Sequence, residues 1–181
     1  MTYENMIALL RKGGVNVENF DHVSLKTLGQ LFEEIENRDV DLVFHKDTGR
    51  VIRCAVTVAI LVQVPNENLV LLETKRVYRN GKVVKRLKEW SMSETCKRGE
   101  ELLDSAIRGV REELGLEIAR EEIDVSWHQD FLEHESSVYC GVRSHVMLQR
   151  LFLKMDTRPW KEEVRVIDDL GTKNHLEWFR V

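Results

Sequence analysis

Cysteine, proline and glycine are all scarce in this chain of 181 residues, at 3, 2 and 10. The three cysteines (Cys54, Cys96 and Cys140) are odd in number and widely separated. That excludes a disulfide framework and a Cys-based zinc site, and a reducing compartment is the default. So few prolines and glycines exclude a collagen-like chain or a long disordered linker. There is no apolar run of the roughly 18 residues that a transmembrane helix needs. The start, MTYENMIALLRKGG, has neither an early basic region nor a small-residue cleavage site, so it reads as mature sequence and the expectation is a cytoplasmic protein with no membrane partner. Charge of one sign is missing as well: 27 Lys and Arg against 31 Asp and Glu leave a net charge of −4. A globally basic nucleic-acid binder is thereby excluded, although a local basic patch is not. What the chain does have is 43% hydrophobic residues, enough to bury a core in one domain-sized unit.

Hydrophobic spacing orders the chain. Met6, Ile7, Leu9 and Leu10 predict a short amphipathic helix over 3–12, stopped by Gly13-Gly14. Ser24 reads as the cap of a second helix carrying Leu25, Leu28, Leu31, Phe32 and Ile35. These two helices form an N-terminal extension, residues 1–38, ahead of a domain over 39–181. Strands are predicted at Val40–Phe44, Val51–Val64 and Leu69–Tyr78. Asn80-Gly81 is a two-residue hairpin signal before a return strand over Lys82–Leu87. A helix follows over about Glu100–Leu114, ended by Gly115, and then strands near Ile123–Phe131, Arg143–Met155 and Leu176–Val181. Strands, one strong helix and more strands make an α+β pattern with a mixed sheet.

The strong helix carries the chemistry. At 100° per residue Leu103, Ile107, Val110 and Leu114 form a core-facing stripe. Arg108, Gly109, Glu112 and Glu113 fall on the other side, with Gly109 between the two glutamates. Two adjacent carboxylates on a fixed helix suit a hard divalent cation, which takes oxygen ligands and bridges to substrate phosphates.

Residues 94–116 resemble the Nudix box, G-x5-E-x7-R-E-U-x-E-E-x-G-U, where U is a bulky aliphatic. Glu100, Arg108, Val110, Glu112, Glu113, Gly115 and Leu116 match, seven of nine fixed positions. Glu94 stands where the first glycine belongs, and Gly109 where the first glutamate of the Arg-Glu pair belongs. The resemblance implies an α/β/α sandwich and hydrolysis of a nucleoside-diphosphate-linked or other pyrophosphate substrate with Mg²⁺ or Mn²⁺. It implies that Glu112 and Glu113 are metal ligands and that Arg108 orients a carboxylate. The family often draws a further ligand or the general base from the position that is Gly109 here. Glu133, Glu135, Glu162 and Glu163, all expected in loops, are candidates to replace that acid. Two explanations stand for a glycine there: close packing by a neighbouring strand or by the N-terminal extension, and room for a phosphate or a metal-bound water.

A basic run precedes the box. Lys75, Arg76, Arg86, Lys97 and Arg98 are candidate substrate contacts on a basic hairpin beside an acidic helix. A phosphorylated small molecule or a capped or 5′-phosphorylated RNA fits that arrangement. Trp90 and Tyr139 are candidates for stacking a nucleobase, and a homodimer is the family-level expectation. The rival reading is a Nudix-fold binding or regulatory module without turnover, for RNA, a nucleotide or a protein partner. Gly109 favours that reading, and the retained Glu112 and Glu113 favour the enzyme.

Overall fold

A computed structural model of the chain describes residues 1–78, 80–85, 89–155, 163–167 and 172–181; for 126–128, 163–165 and 167 it describes the backbone alone. The chain forms two compact units. One comprises Met1–Val56, Thr95–Gly99 and Asp130–Leu148; the other comprises Thr57–Glu94, Glu100–Gln129 and Gln149–Val181. The described elements are those of an α+β protein with few helices and many strands.

In the first unit, Thr2 caps helix α1 (Tyr3–Lys12) by accepting the Asn5 N–H at 3.2 Å. The helix buries Met6 and Leu10. It ends at Gly13, where a Cβ would lie 2.5 Å from Val51 Cγ2, so only glycine permits the approach. A four-residue helix α2 (Phe20–Val23) precedes α3 (Leu28–Glu36). Here the structure departs from the sequence expectation. Thr27 starts α3, not Ser24, because Thr27 has Gln30 three residues on. Its hydroxyl accepts the Gln30 N–H at 3.2 Å, and the Gln30 side chain accepts the Thr27 N–H at 2.9 Å. Ser24 is buried instead and accepts the Cys140 N–H at 3.0 Å. Strand β1 (Val40–His45) pairs antiparallel with the start of β2 (Arg50–Val64), from Val40↔Ala55 to His45↔Arg50. Met6, Leu10, Phe20, Leu31, Leu42, Val51 and Tyr139 lie in one core cluster, so residues 1–38 are packed into this unit.

A polar knot closes the same core. The Glu34 carboxylate accepts Lys26 Nζ at 2.8 Å, both Arg53 Nε and NH2 at 3.1 and 3.0 Å, and the Tyr139 hydroxyl at 2.8 Å. Burial pushes the Glu34 carboxyl up, but Lys26 and Arg53 more than offset it, and its pKa ends below the ordinary value. Tyr139 is fully buried and engaged with Glu34, which removes it as a stacking platform.

In the second unit, β2 continues to Val64. A 3-10 turn at Pro65–Glu67 then reverses the chain into β3 (Leu69–Val77), paired antiparallel with β2 from Val62↔Leu71 to Val64↔Leu69. The Asn-Gly hairpin forms, with β4 (Val83–Lys85) running back along β3. Its reversal is wider than two residues: the Tyr78 N–H donates to the Lys82 carbonyl at 2.8 Å, and Gly81 has φ +81°. A short strand β5 (Met92–Thr95) pairs with β2 and leads towards helix α4 (Leu102–Leu114). Ser91 ties β5 to the sheet, its hydroxyl accepting the Val62 N–H at 2.8 Å and donating to the Leu71 carbonyl. After α4 come β6 (Ile123–Glu135), β7 (Arg143–Lys154), β8 (Glu163–Ile167) and β9 (Lys173–Arg180). Hydrogen-bonded strands follow the order β6-β7-β2-β3-β9-β8. β9 pairs antiparallel with β3, from Leu69↔Arg180 to Val77↔Lys173, and with β8 on its other side. No helix among the described residues is long and apolar enough to cross a membrane.

Candidate functional site

Helix α4 is stopped where the sequence says it should be. Gly115 adopts φ +65°, a left-handed conformation that favours glycine, and its N–H donates to the Arg111 carbonyl at 3.0 Å. Its buried face is rotated from the expected stripe. Ser105, Ala106, Gly109 and Val110 are buried, while Leu103, Ile107 and Leu114 are only partly so. The small residues let the helix approach a strand more closely than leucines would allow. Gly109 marks the closest point: a Cβ there would lie 2.9 Å from Glu94 Cβ, 3.0 Å from Glu94 Cγ and 3.2 Å from Met92 Cε. Gly109 does not project between the two glutamates into open space. Of its two explanations, strand packing is the one observed.

Arg108 sits at the centre of the acids. Its Nε and NH2 donate to the two Glu100 oxygens at 3.0 and 2.9 Å, and its NH1 donates to Glu94 Oε1 at 2.7 Å. Glu100 also accepts the Ser105 hydroxyl at 2.7 Å, which fixes the loop before α4 to its first turn. The same Arg108 NH1 stands 3.5 Å from Glu112 Oε2. The Arg108 side chain is only 16% exposed. The hydrogen bonds it donates to Glu100 and then to Glu94 hold its pKa above the ordinary arginine value, so the charge is permanent. Bidentate pairing at this depth fixes the guanidinium in one orientation.

Glu112 and Glu113 occupy the last turn, where two acids oppose the helix dipole by a few tenths of a kcal/mol or more. Glu112 is 42% exposed, so it is open to solvent beside a fixed positive charge. Glu113 is partly buried and accepts Asn174 Nδ2 from β9 at 3.4 Å. Asn174 is 2% exposed, and its Oδ1, the other atom of the same amide, has no hydrogen-bond partner among the described residues. Arg76 on β3 lies opposite Asn174 in the register, and its charge is felt by Glu113.

The basic candidates are distributed differently from one ribbon. Arg76 grips Glu73, itself 1% exposed, through two hydrogen bonds of 2.8 and 3.2 Å. Burial pulls the Arg76 pKa down; Glu73 and, more weakly, Glu113 raise it past its ordinary value. Lys75 lies opposite Lys85 on β4 and His175 on β9, so three basic residues share one line across the sheet. Lys75 and Lys85 are like charges directly opposite, which is destabilising, and an anion would relieve that pair. Lys97 and Arg98 belong to the first unit and are exposed; the Arg98 N–H donates to the Arg38 carbonyl at 2.9 Å. Arg86 and Glu162 lie outside the described residues.

The candidate replacement acids are not loop residues where they are described. Glu133 and Glu135 are on β6, and Glu163 begins β8. In the first unit Glu133 pairs with Arg143 at 3.2 Å and His145 at 2.8 Å, and Glu135 pairs with Arg50 at 2.7 Å. Sequence reasoning missed Glu94 from β5, which accepts from Arg108, Asn174 from β9, which donates to Glu113, and Glu73 from β3, which accepts from Arg76. Glu94 alone carried a signal, as one of the two departures from the motif.

The donor set fits a hard divalent cation. Glu112 and Glu113 are adjacent oxygen donors on one helix, and Asn174, whose Nδ2 donates to Glu113, keeps a buried Oδ1 without a partner among the described residues. Among the described residues no three His, Cys, Asp or Glu side chains converge as a ready-made cage. Mg²⁺ needs none, since it keeps several waters and is held by one or two carboxylates plus substrate phosphates.

No family model matches the chain, and neither does any curated protein. Solved structures that it is similar to include an Ap4A hydrolase of C. elegans in a binary complex, at 16% identity and a TM-score of 0.41, over 70% of this chain and 79% of that one. The E. coli dihydroneopterin triphosphate pyrophosphohydrolase is similar at 14% identity and a TM-score of 0.40, over 70% and 79% of the two chains. A hydrolase of the Nudix family from Clostridium perfringens is similar at 13% identity and a TM-score of 0.37, over 70% and 81%.

Proposed function

We propose that the chain is a metal-dependent hydrolase of a nucleoside-diphosphate-linked or other pyrophosphate substrate, using Mg²⁺ or Mn²⁺ held by Glu112 and Glu113. The observation that carries this reading is the fixed Arg108. Locked by Glu94 and Glu100, it stands beside a solvent-open Glu112 at the end of α4. A solvated helix end would not need a bidentate, permanently charged guanidinium beneath it. When bound, the cation supplies charge neutralisation at the phosphoryl oxygens and lowers the pKa of a bound water. The protein's own share is placement. Arg108 keeps Glu112 oriented, Asn174 and Arg76 flank Glu113, and Lys85 and Lys75, opposite each other, offer positive charge to a polyphosphate.

The test is a panel of nucleoside triphosphates, dinucleoside polyphosphates, nucleotide sugars, ADP-ribose, capped RNA and inositol pyrophosphates. Each is incubated with Mg²⁺ or Mn²⁺ and followed for release of phosphorylated product. Turnover of at least one class, abolished by chelation and by Glu113→Gln, is expected. Binding of a nucleotide or RNA without turnover of any class would instead support the regulatory module.

A further inference from the structure

The box departs from its pattern at two places, Glu94 for glycine and Gly109 for glutamate, and in the folded chain these two residues touch. An ideal Cβ on Gly109 would stand 2.9 Å from the Cβ and 3.0 Å from the Cγ of Glu94. Real Cβ atoms do not approach backbone-anchored atoms that closely, so a side chain at 109 and the glutamate at 94 exclude each other. We propose that the two departures are a single exchange. The carboxylate absent from the helix at 109 is supplied from β5 at 94, and Gly109 is the gap that admits it. The proposal rests on the hydrolase reading above and deepens it by assigning Glu94 as a positioning residue of that site.

The geometry gives Glu94 its role. Its Oε1 takes Arg108 NH1 at 2.7 Å, and that same nitrogen stands 3.5 Å from Glu112 Oε2. Glu100 already occupies Arg108 Nε and NH2. Glu94 therefore claims the one guanidinium nitrogen turned towards Glu112, and it sets how strongly that nitrogen pulls on the Glu112 carboxylate. Without Glu94, Arg108 NH1 turns fully to Glu112 and competes with a cation for its oxygens. With Glu94 in place, the positive charge is shared, and Glu112 is oriented without being neutralised. An acid on the helix at 109 would sit next to Arg108 in sequence, whereas Glu94 reaches the guanidinium from the strand side.

The experiment measures Mn²⁺ affinity of the full chain by calorimetry, alongside thermal unfolding, for Glu94→Gln, Gly109→Glu and the double variant E94G/G109E. Glu94→Gln keeps the Cβ and Cγ that pack on Gly109, so it tests the charge without emptying the contact. Mn²⁺ affinity is expected to fall about tenfold in Glu94→Gln, the usual cost of losing a partner that orients a metal ligand. Gly109→Glu alone is expected to unfold at lower temperature, because two side chains now claim one space. E94G/G109E is expected to regain most of the lost thermal stability and to bind Mn²⁺ more tightly than Glu94→Gln. A double variant no more stable than Gly109→Glu overturns the exchange. Unchanged Mn²⁺ affinity in Glu94→Gln, with affinity lost in Glu112→Gln, overturns the positioning role and leaves the hydrolase reading intact. A native protein that binds no Mn²⁺ brings down the hydrolase reading and this role with it, while the stability comparison still decides whether the two positions were exchanged.

Discussion

Gly109→Ala is the sharpest test of how α4 meets β5, because two effects of similar size oppose each other and the structure says which wins. In a solvent-exposed helix interior, replacing Gly by Ala stabilises by about 1 kcal/mol. Here the added methyl would lie 2.9 Å from Glu94 Cβ and 3.2 Å from Met92 Cε. Met92 Cε is the end of a flexible side chain and can move, but Glu94 Cβ is fixed to the backbone of β5. Overpacking against such a neighbour costs about 1–3 kcal/mol. The net expectation is a loss of about 1 kcal/mol, which for a chain of this length lowers the unfolding temperature by about 2–4 °C. Urea unfolding followed by circular dichroism measures it. The same substitution in a Glu94→Gly background should reverse sign, because the Cβ and Cγ that resist the methyl are gone and the helix-propensity gain of about 1 kcal/mol remains. A stabilising Gly109→Ala in the native background, or an identical effect in both backgrounds, refutes the contact.

Other perturbations follow from the same distances. Arg108→Ala should cost about 3 kcal/mol by urea unfolding, since it strands two mostly buried carboxylates, and Arg108→Lys should recover little of it because one ammonium cannot replace a three-nitrogen fork. Glu34 contributes stability that is fully present above its ordinary pKa of 4.5 and is lost as pH falls through the lower folded value. The native protein should therefore lose stability more steeply than Glu34→Gln below that pH, and parallel acid-unfolding curves would count against the knot. Thr27→Ala should cost about 1 kcal/mol through loss of the α3 cap, whereas Ser24→Ala, which removes the acceptor of the Cys140 N–H, should leave that cap in place; equal helix loss in both would contradict the cap assignment.

What was legible in the sequence follows from what each feature depends on. Helix α4 was readable because its period and its glycine stop are local properties, and so was the pairing of β2 with β3 across Pro65–Asn68. The α3 start was placed three residues early because Ser24 and Thr27 both carry a capping hydroxyl and serine is the commoner cap. Only the glutamine three residues after Thr27 distinguishes them. β5 and β8 were missed because strands of four and five residues are too short for alternation to show. The basic run was contiguous in sequence yet splits between the two units, since Lys75 and Arg76 fall in one and Lys97 and Arg98 in the other. A run of like charge carries no information about where the chain turns.

The same limit explains the site. Matching a motif position by position treats Glu94 and Gly109 as two independent failures, because spacing along the chain cannot express that a strand residue and a helix residue share one space. In the fold each explains the other. The volume missing at 109 is occupied from 94, and the charge missing at 109 reaches Arg108 from 94. Gly109 therefore marks a space filled by Glu94, which positions Arg108 and is not the ligand or base that the family often draws from 109. The informative variant is consequently not Gly109→Glu, which places two side chains in one space, but the pair E94G/G109E changed together. If Gly109→Glu alone were to raise metal affinity without loss of stability, then the space at 109 would be open and the two departures would again be separate losses.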